Sequence, residues 1–132
     1  MEEHLIELFQ ANGVTHIKQN ESLSRHTTWK VGGPADFYIE PADKQELMNA
    51  MQVVQRQKLP WRVIGRGSNL LVKDGGIRGV VFHLKDTFGF LHIEDTTVTA
   101  GGAYSTILLA SRTAKSGLTG LEFAGGIPGN VG

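Results

Sequence analysis

The segment that most limits how this chain folds is Trp61-Arg62-Val63-Ile64-Gly65-Arg66-Gly67-Ser68-Asn69-Leu70-Leu71-Val72. It reads as a short strand, a glycine-bearing turn and a second apolar run at Leu70–Val72, itself a strand candidate. Gly65 and Gly67 permit a positive φ and leave no Cβ in the way of a ligand. Ser68 and Asn69 favour turns because their side chains bond nearby backbone groups. Successive N–H groups in such a turn can converge on an anion, so a phosphate or diphosphate is the natural guest. A plain tight turn is the alternative at this level. The pattern is not a dinucleotide fingerprint, because Leu70 stands where a third glycine belongs, and it lacks the Gly-Lys-Ser/Thr of a phosphate loop.

The rest of the chain is organised around this turn. Glu2 to Asn12 carries Leu5, Ile6, Leu8 and Phe9 on one face, with acidic residues first, and reads as a docking helix ended by Gly13. Gln19 to Ser24 is polar and is expected to cross the surface. Ala35 to Glu40 is a strand candidate after the Gly32-Gly33-Pro34 turn. Asp43-Lys44-Gln45-Glu46 is a capping box opening a helix to about Gln57. This β-α-β order predicts a parallel pair. Val80–Leu84 continues the lobe as a meander. Leu91–Ile93 and Thr97–Ala100 form a hairpin, and Tyr104–Ser116 a helix closed by Gly117. Residues 1–23 are thus a helix and lead-in, 24–86 a first lobe, and 87–132 the start of a second lobe. Gly125-Gly126-Ile127-Pro128-Gly129-Asn130-Val131-Gly132 follows with no closing strand or helix, so this lobe is expected to be incomplete.

The formal net charge is zero, so no general field draws nucleic acid or anionic membrane, and phosphate recognition has to be local. There is no cysteine, which excludes thiolate metal sites and thiol nucleophiles. No apolar run approaches the ~18 residues of a membrane span, and Met1-Glu2-Glu3-His4 has no signal-peptide character. The expected location is cytoplasmic. His4, His16, His26, His83 and His92 show no ligand spacing, so no metal site is expected. His83, between Phe82 and Leu84 on a strand, is expected to be exposed or hydrogen-bonded. Ser68 lacks an evident base for a nucleophilic role. Arg66 either lies along a phosphate or faces water. The residues themselves therefore describe a binding surface with no catalytic residue.

Three motifs occur in order: His26-Thr27-Thr28-x-x-Val31-Gly32-Gly33-Pro34-Ala35, Gly65-x-Gly67-Ser68-Asn69-Leu70-Leu71-Val72-x-Asp74-x-Gly76, and Gly120-Leu121-Glu122-x-x-x-Gly126-Ile127-Pro128-Gly129-x-Val131-Gly132. Together they resemble the UDP-N-acetylenolpyruvoylglucosamine reductases, also called UDP-N-acetylmuramate dehydrogenases. The resemblance implies an α+β, two-lobe FAD-binding fold of the vanillyl-alcohol oxidase and p-cresol methylhydroxylase type. It implies FAD contacts from Gly65, Arg66, Gly67, Ser68, Asn69 and Leu70, and from Gly125, Gly126, Ile127 and Gly129 of the second lobe. NADPH is the implied reductant and an enolpyruvyl UDP-sugar the implied substrate, in peptidoglycan precursor synthesis. The family's proton-donating Ser, its Arg and its Glu do not map onto residues 1–132. The chain is accordingly expected to be an N-terminal piece without the substrate-binding domain, inactive alone and holding FAD weakly or not at all. A non-catalytic module that binds a nucleotide or a partner is the competing reading.

Overall fold

Asp43 opens the principal helix. Its side chain accepts a hydrogen bond from the Glu46 N–H at 2.8 Å, and α2 runs Lys44–Arg56. Asp43→Ala is expected to remove about 1 kcal/mol of stability, readable as a lower urea midpoint with an unchanged denaturant slope. The computed structural model describes residues 1–132. The other elements are α1 (Glu2–Ala11), β1 (Ile17–Ser22), β2 (Pro34–Ile39), β3 (Trp61–Ile64), β4 (Ile77–His83), β5 (Leu91–Glu94), β6 (Thr97–Ala100) and α3 (Thr106–Lys115), with 3₁₀ turns at Leu23–His26, Asp86–Phe88 and Glu122–Gly126. No helix is long and apolar enough to cross a membrane.

The first sheet has the order β1-β2-β4-β3. β4 lies parallel to both β2 and β3, and β1 is antiparallel to β2. The β2–α2–β3 strands run parallel but are not neighbours, because β4 inserts between them. There is also no meander, because the segment between β3 and β4 carries the chain back to begin β4 alongside β3. Leu70–Val72 is accordingly not a strand. It has no neighbouring strand to bond, and it is held by Val72, which is 6% exposed and packed beside Leu23, Ile64 and Val81. The polar stretch from Gln19 is part of edge strand β1 rather than a loose crossing. Backbone pairing with β2 holds it, while Lys18, Gln19 and Asn20 stay exposed. That is how an edge strand tolerates polar side chains.

β4 is central and buried on both faces, and its alternation divides the core. Val80 and Phe82 face α1 and α2, where they join Phe9, Val14, Phe37, Ile39, Val53 and Val54. Val81 faces the other way, with Leu23, Tyr38 and Ile64. His83 shares the parity of Val81. The strand therefore delivers it to this second face, buried and hydrogen-bonded to Tyr38 rather than exposed. β5 and β6 form a separate antiparallel hairpin, Leu91 opposite Ala100 and Glu94 opposite Thr97. Ser105 caps α3 by accepting from the Leu108 N–H at 3.3 Å.

Candidate functional site

The glycine turn leaves β3 directly and has few bonds of its own. The Gly67 carbonyl accepts from the Thr28 N–H at 3.0 Å. The backbone N–H groups of Gly65, Arg66, Gly67, Ser68, Asn69 and Leu70 donate to no protein acceptor. Backbone donors are ordinarily paired within the protein or hydrated, so six consecutive unclaimed donors are an opening for an acceptor from outside. All six residues line one cleft of about 250 Å³, together with Gly129, Asn130 and Gly132.

Gly67 has φ +68°, a left-handed conformation. A Cβ there would run into the His26 carbonyl oxygen and lie 2.9 Å from Thr27 Cα. The missing side chain therefore admits the His26–Thr28 strap behind the turn, not a ligand in front of it. Gly65 is the residue that keeps the ligand side open: a Cβ on it would lie 3.6 Å from Asn130 Nδ2, across the cleft.

The opposite wall comes from the last residues. Val131 N–H donates to the Tyr104 carbonyl at 2.9 Å and Gly132 N–H to the Gly102 carbonyl at 2.9 Å, while Thr106 N–H donates to the Gly129 carbonyl at 3.0 Å. Residues 129–132 are thereby laid against 102–106, and Asn130 is brought to the turn. Of the second-lobe candidates, Gly129 lines the cleft; Gly125, Gly126 and Ile127 do not. Gly125 and Gly126 close the 3₁₀ turn Glu122–Gly126, with open space beside them, and Ile127 is about half exposed.

A contiguous recess of about 270 Å³ extends the site along Arg66, His83, Lys85, Ser105 and Asn130. Arg66 places one cation at a trough whose floor is backbone N–H, while Lys85 in the adjoining recess is paired with Glu40 at 2.8 Å and stands beside Asp86. This arrangement suits a diphosphate better than a neutral ligand. Burial and the nearby charges of Lys85 and His26 lower the His83 pKa to about 4, so the imidazole is neutral at pH 7 and adds no charge of its own. Asn130, Lys85, Ser105 and His83 were missed from sequence. Only the Gly129-Asn130 pair carried a local signal, as a turn dipeptide.

The structure also gathers polar groups that spacing did not reveal. Ligand-type atoms of His26, Glu40 and His83 lie within 4.8 Å of one another. The Tyr38 hydroxyl stands among them, 2.6 Å from Glu40 Oε1, 2.6 Å from His83 Nδ1 and 3.2 Å from His26 Nδ1. Burial pushes the phenol pKa well above its ordinary value, and the bond to Glu40 adds to this. Burial also pushes the Glu40 carboxyl up, but hydrogen bonds from Lys85 and Tyr38 outweigh it and hold the group below the usual range.

Comparison with known proteins gives a consistent picture. The family described as "FAD binding domain" matches residues 35–132. The UDP-N-acetylenolpyruvoylglucosamine reductase of Anoxybacillus flavithermus is 55% identical over 132 residues, all of this chain and 43% of its own length. That of Bacillus subtilis is 47% identical over 130 residues, 98% of this chain and 43% of its own. The chain thus spans less than half the length of these curated relatives. Among solved structures, the UDP-N-acetylenolpyruvylglucosamine reductase of Thermus caldophilus superposes with a TM-score of 0.66 at 34% identity, covering 88% of this chain and 40% of that one. A variant of berberine bridge enzyme superposes with a TM-score of 0.64 at 14% identity, covering 88% of this chain and 27% of that one, a likeness of fold alone.

Proposed function

Because the chain belongs to the FAD-binding domain family and has its α+β fold, we propose that the cleft between the Gly65–Leu70 turn and Asn130 cradles the diphosphate of FAD. We further propose that the chain is the flavin-holding part of a UDP-N-acetylenolpyruvoylglucosamine reductase. The run of six unclaimed N–H donors carries the first reading. Each hydrogen bond to a charged acceptor contributes about 1.5–3 kcal/mol, so a few converging donors are enough to offset the absence of net charge. Arg66 adds a charge at the mouth, and the bare Gly65 lets the diphosphate approach the backbone.

When bound, FAD supplies hydride transfer, from NADPH to the enolpyruvyl double bond of the UDP-sugar, giving the UDP-N-acetylmuramate of peptidoglycan precursor synthesis. The work of this chain's residues is binding and orientation. The turn fixes the cofactor at one end, and Asn130 and Gly129 close on it from the opposite wall. The reading therefore assigns turnover to the longer protein, in the cytoplasm where its nucleotide substrates are found.

Two experiments test this. Quenching of FAD fluorescence by the purified chain is expected to show weak binding that saturates only at high FAD concentration, and Arg66→Ala to weaken it roughly ten-fold, the loss of one exposed charge-assisted contact. In a chimera, this chain replaces the matching part of the Anoxybacillus flavithermus relative. It is expected to oxidise NADPH in dependence on the enolpyruvyl UDP-sugar. A flavin-replete chimera that does not turn over would overturn the reductase assignment.

A further inference from the structure

We propose that the Tyr38 hydroxyl is the positioning hub of the diphosphate turn, holding Gly67 through the His26 strap. The inference rests on the reading of the turn as a flavin cradle and adds the device that shapes it.

Tyr38 is 1% exposed, on the face of β2 that looks toward the site. Its ring stacks on that of His26, with centroids 4.4 Å apart at 20°, and meets His83 edge-on at 6.0 Å and 73°. Its hydroxyl bonds both imidazoles and Glu40. Two of the three spokes are braced from outside: His26 Nε2 lies 3.0 Å from Glu21 Oε1, and Lys85 Nζ donates to Glu40 Oε1 at 2.8 Å. No buried side-chain polar atom is left without a partner. A buried polar network satisfied in this way is rigid and orients its members.

The His26 spoke ends on the turn. Gly65 follows Ile64, which pairs with His83 across β3 and β4, so that end of the turn is set by the strand backbone. The main chain of His26 is what Gly67 packs against, and two residues on, the Thr28 N–H holds the Gly67 carbonyl. One buried oxygen thus fixes the strap that holds Gly67, and with it the direction of the N–H groups beside that glycine. A metal ion is a poorer account of the same cluster. The phenol oxygen occupies its centre, and Lys85 already neutralises Glu40.

Tyr38→Phe removes this oxygen and keeps the ring, its stacking and its volume. By amide relaxation, the order parameters of Arg66 to Leu70 are expected to fall from about 0.85 to below about 0.6, and exchange of the Thr28 amide to quicken about ten-fold, with β2 and β4 unchanged. FAD affinity is expected to fall about ten-fold. His26→Asn, which removes the ring that Tyr38 holds, is expected to loosen the Gly67 end in the same way, and it decides the matter if Tyr38→Phe does not fold. A turn as rigid as the wild type's in the folded variant, whatever the change in melting temperature, would overturn the hub. The relaxation readout needs no flavin. Failure of the wild-type chain to bind FAD would therefore count against the cradle and leave the hub to be judged separately.

Discussion

Gly67→Val is expected to abolish flavin binding and to destabilise the chain by about 3 kcal/mol. At φ +68° a β-branched residue is strained, a penalty of order 1–3 kcal/mol before any contact is counted. The contact is with backbone: the His26 carbonyl and Thr27 Cα stand where the side chain would go. Backbone cannot rotate aside as a side chain can, so either the strap or the turn has to move. Moving the strap breaks the Thr28–Gly67 bond; moving the turn disperses the six N–H groups. Flavin content after purification and a urea melt read the two effects. Gly65→Ala provides the contrast. Its Cβ would meet only Asn130 at ordinary contact distance, so folding should be nearly unaffected while FAD binding weakens. Equal behaviour of the two variants would mean that the turn does not have the two sides described.

Glu46→Ala is expected to lower stability by about 3 kcal/mol, roughly 10 °C in melting temperature for a chain of this size. The carboxylate is buried and accepts backbone N–H bonds from Thr15 at 2.7 Å, His16 at 2.9 Å and Ala42 at 2.8 Å. It ties the start of α2 to the α1–β1 connection. Burial raises its pKa, but those bonds outweigh the burial and bring it to about 2. A depressed carboxyl stabilises the fold fully above its unfolded value. That contribution is lost as pH falls from about 4.5 toward 2. His83 acts in an adjacent window. Its buried ring refuses a proton down to about pH 4, whereas the unfolded chain takes one near 6.5, so stability already declines from pH 6.5 toward 4. The melting temperature of the wild type should therefore fall in two stages on acidification, and Glu46→Ala should lack the lower one.

What the sequence made legible were the features whose causes are local. The cap Asp43, the helical spacing behind it, the hairpin either side of Glu94-Asp95 and the helix read over Tyr104–Ser116 all follow from neighbours a few residues apart. The insertion of β4 between β2 and β3 does not, because nothing within Ile77–His83 names its partners. The polar β1 was hidden for the same reason: its pairing is made by backbone, to which side-chain periodicity is blind. In the site, the glycine turn was legible as a turn, but which of its glycines faces protein and which faces the cleft was not. That distinction depends on the His26 strap, about 40 residues earlier. Asn130, and the meeting of His26, Tyr38, Glu40 and His83, belong to the tertiary fold alone. Only the three motifs taken together, through the resemblance they carry, reached further than local physics.

The central claim is that the free N–H groups of Gly65 to Leu70 hold the FAD diphosphate. A ¹H–¹⁵N titration of this chain with FAD to millimolar concentration tests it most directly, since even weak binding is mapped residue by residue. The account predicts that the largest shifts fall on the amides of residues 65–70, with smaller ones at Gly129 and Asn130, and that the sheet amides of β1 and β2 stay in place. An unperturbed turn, whether FAD fails to bind or binds elsewhere on the surface, would contradict it.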